Sequence, residues 1–377
     1  MLTMLRCWQE NEAVTAFGDC DSLLPNGYTG ARFATGRGAL AALIDHLAAS
    51  EKAGRPIHVA MPAYIAEGVY APFARSSHCH VHFYRLNPDL TPNTQDIEDL
   101  RNGPGLDLLM LVHYFGGNCS GGQARRIARE CGAIVVDDMA HALFGFADGD
   151  RGQEEFGDFL LYSLNKFLPV PDGAILACRS QRMPSMPVTP EPSEMPPEAL
   201  ASYCAHLRLN ARILAECSPA AAMALARESG SAYEHYYAEI NSGLGRWKQS
   251  DFSRQIERKS DLARMRSNRV RNAEILRKGV STPAVRLLSA PISGTAPFCL
   301  PALVTTGDRD GFVAAAAAEG LLLSTLVDKW DFRSADAEPE RFEVEDDFLA
   351  RHILIPVNEF IDEAAMARLV TILNGLS

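Results

Sequence analysis

The chain has 377 residues, of which 47% are hydrophobic and 22% charged, a composition that excludes a disordered chain, a collagen and a long coiled coil. Its 47 acidic and 36 basic residues give a net charge of −11, which disfavours a general nucleic-acid-binding role. The nine cysteines include no Cys-x-x-Cys pair, which disfavours a zinc ribbon or a thioredoxin-type site and fits a reducing compartment.

The N-terminal apolar stretch is interrupted by Arg6, Glu10 and Glu12, too early for a signal peptide. No uninterrupted apolar run approaches the roughly 20 residues that a membrane-spanning helix needs. We therefore expect a soluble, cytoplasmic protein with no membrane partner.

From residue 36 to residue 178, helical and strand-like patterns alternate along the chain. Residues 37–50 and 121–130 have helical patterns, and the strand-like runs are 57–61, 79–84, 106–112, 133–136, 158–162 and 174–178. This alternation predicts an α/β fold with a mostly parallel sheet. Such sheets bind ligands at the carboxyl ends of their strands.

The pattern changes after residue 180. Residues 183–197 are rich in proline and predict an irregular excursion, and residues 198–227 are rich in alanine and leucine and predict helix. Residues 251–278 predict one long charged helix, followed after about residue 280 by a smaller α+β portion with a strand in 297–304 and a closing helix over 361–376. The predicted division is a large domain over 1–245, including the excursion 181–245, and a small domain over 246–377.

Three segments carry residue types that suggest chemistry. Thr35, Gly36 and Arg37 form a small-residue turn into a helix, where free backbone amides can bind an anion. The alternative is an ordinary turn.

Asp137 and Asp138 end a predicted parallel strand, and His141 follows three residues later. Strand ends are where sites of this fold class are built. The alternative is a helix N-cap aspartate with a neighbouring histidine.

Lys166 follows an apolar strand and lies in an otherwise apolar stretch, three residues after Ser163. Burial lowers the pKa of a lysine and makes its amine a nucleophile toward carbonyls. The alternative is a loop lysine that extends to solvent. In order, an anion-binding turn, Asp-x-x-His and Ser-x-x-Lys match the needs of pyridoxal 5′-phosphate for a phosphate cradle, an acid beside its pyridine nitrogen and a Schiff-base lysine.

Over most of its length the sequence resembles the DegT/DnrJ/EryC1/StrS sugar aminotransferases, which have the aspartate-aminotransferase fold, fold type I. The segments that carry the resemblance are ATGRGAL, MPAY, LVHYFGG, VVDDMAHALFG, YSLNKFLPVPDGAIL and DFLARHILIPVNEFIDEAAMARLVTIL. The resemblance implies a large pyridoxal-phosphate-binding domain with a seven-stranded-type sheet flanked by helices, and a smaller C-terminal α+β domain.

The resemblance also implies roles for single residues. Lys166 would bind the cofactor covalently and act as the catalytic base, Asp138 would pair with the pyridine nitrogen, and His141 would hydrogen-bond the 3-oxygen of the ring. Ser163, Thr35 and the amides of Gly36 and Arg37 would hold the phosphate. Asp137 would be structural.

The family often stacks an aromatic residue on the cofactor ring, four residues after the proline of its P-A-Y segment. That position is Ala66 here, so either Tyr64 takes the role or no residue does. The excursion 181–245 is longer and richer in proline than in the family, which leaves the sugar-nucleotide substrate open.

The resemblance implies an aminotransferase that moves an amino group from glutamate or a similar donor to a keto-sugar, by resemblance nucleotide-linked, in a homodimer with its site at the interface. A lyase or dehydratase, a non-sugar aminotransferase and a non-catalytic relative remain alternatives. Sugar dehydratases of the family carry histidine in place of the lysine, so Lys166 favours transamination.

A run of alternating histidines resembles a metal cluster but has a simpler explanation. His78, His80 and His82 share one face of a predicted strand because successive side chains alternate. We predict no metal site.

Overall fold

A computed structural model describes residues 2–3, 19–49, 54–117, 119–145, 156–180, 190–216, 218–288, 296–325 and 339–376. Its strands are β1 Leu2–Thr3, β2 Tyr28–Phe33, β3 Ile57–Pro62, β4 Cys79–Tyr84, β5 Leu108–Val112, β6 Ile134–Asp138, β7 Phe159–Ser163, β8 Ala174–Arg179, β9 Glu191–Glu194, β10 Trp247–Lys248, β11 Val285–Leu287, β12 Leu300–Val304, β13 Leu321–Leu322 and β14 His352–Ile355. Its helices are α1 Gly36–Ala49, α2 Glu67–Ala74, α3 Thr94–Asn102, α4 Gly122–Glu130, α5 Pro197–Ala215, α6 Pro219–Gly243, α7 Asp251–Arg258, α8 Leu262–Gly279, α9 Arg309–Ala318, α10 Glu343–Arg351 and α11 Glu363–Gly375.

The main sheet has nine strands in the order β4-β3-β5-β6-β7-β8-β2-β10-β9. Strands β4, β3, β5, β6 and β7 run parallel, whereas β8 is antiparallel to both β7 and β2. The predicted α/β class with a mostly parallel sheet is confirmed. The first seven strands in this order match the predicted seven-stranded type, and the short strands β10 and β9 extend it at one edge.

The central strands are apolar because helices cover both faces of a parallel sheet. All five residues of β5 are buried, as are all five of β6, including its two aspartates. Burying one large apolar side chain contributes about 1.5–3 kcal/mol, so this layer supplies much of the folding free energy. The polar ends of β6 and β7 are therefore held on a rigid support.

Helices α5 and α6 form a long hairpin between β9 and β10. Prolines occupy the first turn of both helices, where their missing amide hydrogen costs nothing, and Ser218 caps α6. Residue Leu244, in the left-handed conformation, ends α6. Helix α6 extends well beyond the predicted end at residue 227. Residues 183–189 of the predicted proline-rich stretch lie outside the described residues, and the remainder, 190–197, includes strand β9 and the start of α5.

The C-terminal portion builds a second, smaller sheet in the order β11-β12-β14, which is antiparallel throughout. Helices α8, α9 and α11 pack on it around a separate apolar cluster that includes Leu276, Ile353 and Leu369. The predicted strand after residue 297 is confirmed at Leu300–Val304.

The prediction of one helix over 251–278 was wrong. The chain forms α7 and α8 there, separated by Lys259, Ser260 and Asp261. Asp261 accepts a hydrogen bond from the amide of Arg264 at 2.9 Å and so caps a new helix. Charge periodicity continued across the break, which is why the pattern did not reveal it.

Residues after the predicted boundary at 245/246 still contact the large sheet. Strand β10 pairs with β2, and Glu257 of α7 is buried against Arg32 at 2.9 Å. These contacts favour a boundary after α7, and the division itself stays a prediction. Among the described residues, no helix is long and apolar enough to cross a membrane.

Candidate active site

A cavity of about 580 Å³ opens at the carboxyl ends of the central strands. One side, which we call the floor, carries Asp138, His141, Ser163 and Lys166 at the ends of β6 and β7. The starts of α1 and α2 line it as well, and the α5–α6 hairpin forms the opposite side, which we call the wall. The site thus lies where the alternation of strands and helices predicted it.

Lys166 and His141 meet in this cavity. Lys166 ends a short 3-10 turn, Leu164–Lys166, directly after β7, and its Nζ lies 3.0 Å from Nε2 of His141. The side chain is half-buried beside the ring of Phe298, with Nζ 5.9 Å from the ring centroid. These surroundings hold the lysine in place rather than leaving it free to extend into solvent. A fixed position is what a nucleophilic role for Lys166 requires.

The ring of His141 lies in an aromatic stack. Phe298 is parallel to it at 4.5 Å between centroids and 2° between planes, and Phe115 stacks at 5.6 Å. Phe298 precedes β12, far along the chain from the predicted motifs, so sequence reasoning missed it. The stack fixes the plane of the imidazole and therefore the direction of its bond to Lys166.

The two aspartates that end β6 lie in different surroundings. Asp138 lines the cavity, and one of its oxygens accepts a hydrogen bond from the amide of Ala140 at 2.9 Å. Burial raises the pKa of Asp138 above its ordinary value. A buried carboxylate beside a cavity would be stabilised by a cation placed there, such as a protonated pyridine nitrogen.

The carboxylate of Asp137 has its hydrogen-bond partners within the protein itself. It is fully buried and accepts hydrogen bonds from Arg125 at 2.6 Å and from the amide of Gly157 at 2.6 Å, and it contacts Nε2 of His113 at 3.1 Å. Burial alone would raise its pKa, but the charge of Arg125 and the bond to His113 lower it to about 2. The structural role that the resemblance implied for Asp137 agrees with these contacts.

Cys119 joins this group behind the site, so that His113, Cys119 and Asp137 offer ligand atoms within 4.8 Å of one another. The guanidinium of Arg125 contacts both Asp137 and the Cys119 sulfur, so this group already has a positive charge paired with its carboxylate. His113 follows β5, and its amide bonds the carbonyl of Asp138 at 3.0 Å. The parallel β5–β6 pairing, which sets Val112 beside Asp138, is the signal that could have found His113.

The start of α1, where the sequence predicts an anion site, lines the cavity. Thr35 caps the helix, its hydroxyl accepting from the amide of Gly38 at 3.0 Å, and Gly36 lines the cavity beside it. Ser163 faces the same space, and its hydroxyl donates to Asn165 at 2.9 Å. Arg37 is buried and also lines the cavity. The helix dipole and the first amides favour an anion at this position.

Tyr64, the predicted ring-stacking residue, does not line the cavity. It is fully buried in the core against Tyr114, Phe348 and His352, at ring distances of 5.5–6.0 Å. The nearer residues Ile65 and Ala66 face the cavity instead. Its position follows from packing against α10, which the sequence near Tyr64 does not indicate.

The wall carries a buried polar network. Nδ1 of His206 lies 3.0 Å from the carbonyl of Ser229, the Ser229 hydroxyl donates to Asn210 at 2.6 Å, and Nδ2 of Asn210 lies 3.1 Å from Nε2 of His206. All three residues line the cavity. The network ties α5 to α6, because His206 and Asn210 belong to one helix and Ser229 to the other.

Tyrosines complete the wall. Tyr203 and Tyr236 are buried and pack edge to face at 4.6 Å, and the hydroxyl of Tyr203 donates to the carbonyl of Asn165 at 3.4 Å. Tyr233 and Tyr237 line the same side. The bond to Asn165 joins the wall to the segment that carries Lys166. None of these residues was predicted, since nothing in α5 and α6 shows which face meets the cavity.

The histidine run on β4 contacts a neighbour strand. Nε2 of His82 lies 3.1 Å from Nδ1 of His58, and His80 packs edge-on against His58 at 5.5 Å. These residues do not line the cavity. Burial, together with His58 and His80, lowers the pKa of His82.

The described residues of the cavity fit pyridoxal phosphate. An amine, a buried carboxylate of raised pKa, a fixed imidazole and a capped helix start face one space of sufficient size. No described contact opposes this arrangement, because the second carboxylate, Asp137, is neutralised behind the site.

Solved structures share this fold across most of the chain. An aminotransferase, TlmJ, from Streptoalloteichus hindustanus is 13% identical with a TM-score of 0.66, covering 99% of this chain and 98% of its own. A DegT DnrJ EryC1 StrS aminotransferase from Brucella abortus is 15% identical with a TM-score of 0.59, covering 92% and 85%. The GDP-4-keto-6-deoxy-D-mannose-3-dehydratase of E. coli, with bound hydrated PLP, is 15% identical with a TM-score of 0.60, covering 91% and 87%.

These similarities establish the fold, which this chain shares with solved aminotransferases and with a dehydratase that binds PLP. No protein-family model matches the chain, and a search of curated proteins finds no match. The particular reaction therefore has to be argued from the site.

Proposed function

We propose that the protein is a pyridoxal-phosphate-dependent aminotransferase of the DegT/DnrJ/EryC1/StrS type. The observation that carries the proposal is the pairing of Lys166 Nζ with His141 Nε2 at 3.0 Å, in the cavity that Asp138 also lines. Fold likeness alone does not supply a reaction, but these groups in one cavity are the ones that amino-group transfer needs.

Lys166 would hold the cofactor through its amine, and Asp138 would pair with the ring nitrogen. Thr35, Ser163 and the amides of Gly36 and Arg37 would hold the phosphate. When bound, the cofactor supplies an electron sink for the pair of electrons left when a proton is removed beside the substrate nitrogen.

The protein's own groups then move the proton. Lys166, freed by an incoming amine, would act as general base and return the proton on the other side of the transferred nitrogen. Its contact with His141 fixes the position of Nζ, and the aromatic stack fixes His141. His141 would also hydrogen-bond the 3-oxygen of the ring.

The resemblance supports glutamate or a similar donor and a nucleotide-linked keto-sugar as acceptor, and the name of one structural relative, the E. coli dehydratase, describes a nucleotide-linked keto-sugar. We further propose a cytoplasmic homodimer with the site at its interface. The positive charge of Arg246 is paired within its own chain, with Asp45 and Glu191.

The visible spectrum of the purified protein tests the proposal. A yellow protein that loses its colour on addition of L-glutamate, and that retains cofactor on Lys166 after borohydride reduction and peptide mass analysis, has performed half of a transamination. A protein that cannot be reconstituted with pyridoxal phosphate would refute the proposal. A yellow protein that ignores a panel of amino donors would instead favour a lyase or dehydratase.

A further inference from the structure

Arg37 is a buried cation whose guanidinium has no ion-pair partner within hydrogen-bonding distance among the described residues. The residue is 9% exposed and lines the cavity. Its Nε has no hydrogen-bond partner, and no other hydrogen bond of its guanidinium occurs within the described part of the chain. A guanidinium carries five N–H donors, and leaving a charged group buried and unpaired is costly.

The surroundings of Arg37 hold the guanidinium without neutralising it. Its Cζ lies 4.2 Å from the ring centroid of Tyr237, in a cation–π contact with the wall. A methyl group at Gly68 would lie 2.7 Å from Nη2 of Arg37, so any larger residue there would displace the guanidinium.

Glu67 is a carboxylate that senses this charge. Burial raises the pKa of Glu67, but its hydrogen bonds from Tyr237 and Asn241, together with the charges of Arg37 and Arg75, lower it below its ordinary value. Its two oxygens accept from Tyr237 and Asn241, the latter at 3.1 Å, and not from Arg37. The donors of Arg37 therefore remain available to a ligand.

This position differs from the phosphate cradle. The cradle consists of the first amides of α1 with Thr35 and Ser163, on the floor. The guanidinium of Arg37 instead lies between Gly68 of α2 and Tyr237 of α6, which belongs to the wall. A cofactor phosphate has its own donors, so Arg37 can serve a second anion.

We propose that Arg37 binds an anionic group of the substrate, through the planar two-point recognition that guanidinium gives to carboxylate and phosphate oxygens. The inference rests on the proposed function. The anion is either the carboxylate of an amino-acid donor or the phosphate of a nucleotide-linked acceptor, and the two sources share this chemistry.

Three variants distinguish the effect of the Arg37 charge from the effect of where its guanidinium lies. Arg37→Gln removes the charge, and Gly68→Ala keeps it while displacing the guanidinium. Arg75→Gln is the matched control, because Arg75 also lies near Glu67 but is exposed and does not line the cavity. Alanine favours helix over glycine, so Gly68→Ala is not expected to unfold α2.

Each variant is first assayed for pyridoxal phosphate affinity and for borohydride trapping on Lys166. The cofactor-loaded protein is then titrated with L-glutamate and with its dimethyl ester, followed by absorbance. Thymidine diphosphate binding is measured by calorimetry. Melting temperatures confirm that each variant is folded.

We expect Arg37→Gln to weaken the binding of one of the two anions, glutamate or the diphosphate, by about 10- to 100-fold, because a hydrogen bond to a charged group contributes about 1.5–3 kcal/mol. Gly68→Ala should act in the same direction with a smaller factor, and Arg75→Gln should match wild type. If only glutamate binding is weakened, Arg37 binds the carboxylate of the amino donor. If only diphosphate binding is weakened, Arg37 binds the phosphate of the acceptor.

Two results would overturn the inference. One is a wild-type protein that binds neither probe, or an Arg37→Gln variant that binds both as wild type does. The other is a loss limited to pyridoxal phosphate, which would assign Arg37 to the cofactor. Failure of trapping on Lys166 in wild type would refute the proposed function separately, because diphosphate binding is measured without the cofactor reaction.

Discussion

The floor and the wall of the cavity are built in different ways. The floor is made of strand ends, where Asp138 is the last residue of buried β6 and Lys166 lies in the short turn that follows β7. The wall is a helical hairpin whose polar residues, including Asn210 and Ser229, bond one another. Rigid strand ends suit groups that must stay aligned for a reaction, whereas a hairpin can change its facing side chains without disturbing the sheet.

The largest expected effect tests the floor. Lys166→Ala should lower transamination by roughly 1,000-fold or more, because it removes both the covalent attachment and the general base. Lys248→Ala is the control, a half-buried lysine on β10 that pairs with Glu194 outside the cavity. Single-turnover absorbance changes with L-glutamate measure the effect, and near-wild-type turnover of Lys166→Ala would contradict the assignment.

Asp137→Asn tests the support beneath the floor. Asp137 has a pKa of about 2 in the folded protein, below its unfolded value, so its contribution to stability is present at neutral pH and lost as pH falls toward 2. We expect a loss of about 3–5 kcal/mol at pH 7, because Arg125 loses its buried partner. Denaturant titrations from pH 7 to pH 3 should show the difference from wild type shrinking.

Asp138→Asn is the matched counterpart of Asp137→Asn, and its expected effect on stability has the opposite sign. The pKa of Asp138 is raised by burial, so its ionised form destabilises the cofactor-free fold at neutral pH and this penalty disappears in acid. The cofactor-free variant should be as stable as wild type or more stable at pH 7, yet turn over more slowly. Equal destabilisation by both substitutions would contradict the distinction between the two carboxylates.

Ser229→Ala tests the wall. Removing the hydroxyl deletes its buried hydrogen bond to Oδ1 of Asn210 and should cost about 1–3 kcal/mol, seen as a lower melting temperature. Pyridoxal phosphate affinity should stay unchanged, while KM for the acceptor rises. Ser242→Ala, at an exposed position of the same helix, is the control. A loss of cofactor affinity in Ser229→Ala would show that wall and floor are not separable.

The smallest expected effect comes from the stack on His141. Phe298→Leu keeps an apolar side chain but loses the parallel ring contact at 4.5 Å. Aromatic pairs contribute about 0.5–1.5 kcal/mol, so we expect turnover to fall by about 2- to 10-fold. Phe252→Leu, which changes a phenylalanine that is 46% exposed, serves as control. A fall in steady-state rate with unchanged cofactor affinity is the expected pattern.

Sequence reasoning predicted the floor because its signals are local. A buried strand followed by Asp138 or by Lys166 is readable in a dozen residues, and parallel pairing brings these ends to one edge of the sheet. The same reasoning predicted the α1 start, since a cap and its helix are neighbours in the chain.

Contacts between residues far apart in the chain could not be predicted from the sequence. Tyr64 packs on Phe348, and Phe298 stacks on His141, across 284 and 157 residues of chain by subtraction of their numbers. The wall is a further case, because the hairpin's own pattern shows two helices but not which face meets the cavity. Local periodicity also concealed the break between α7 and α8, where the cap at Asp261 outweighs a continuous charge pattern.

The hairpin leaves the main sheet after β9 and returns to it at β10, and these two short strands pair with each other at its edge. Departure and return thus lie side by side, so residues 197–243 form a single insertion at the edge of the sheet. Exchanging that insertion would leave the strand order of the sheet unchanged. A hairpin transplanted from a structural relative is therefore a natural starting point for changing the wall of the cavity while keeping the strand ends that form its floor.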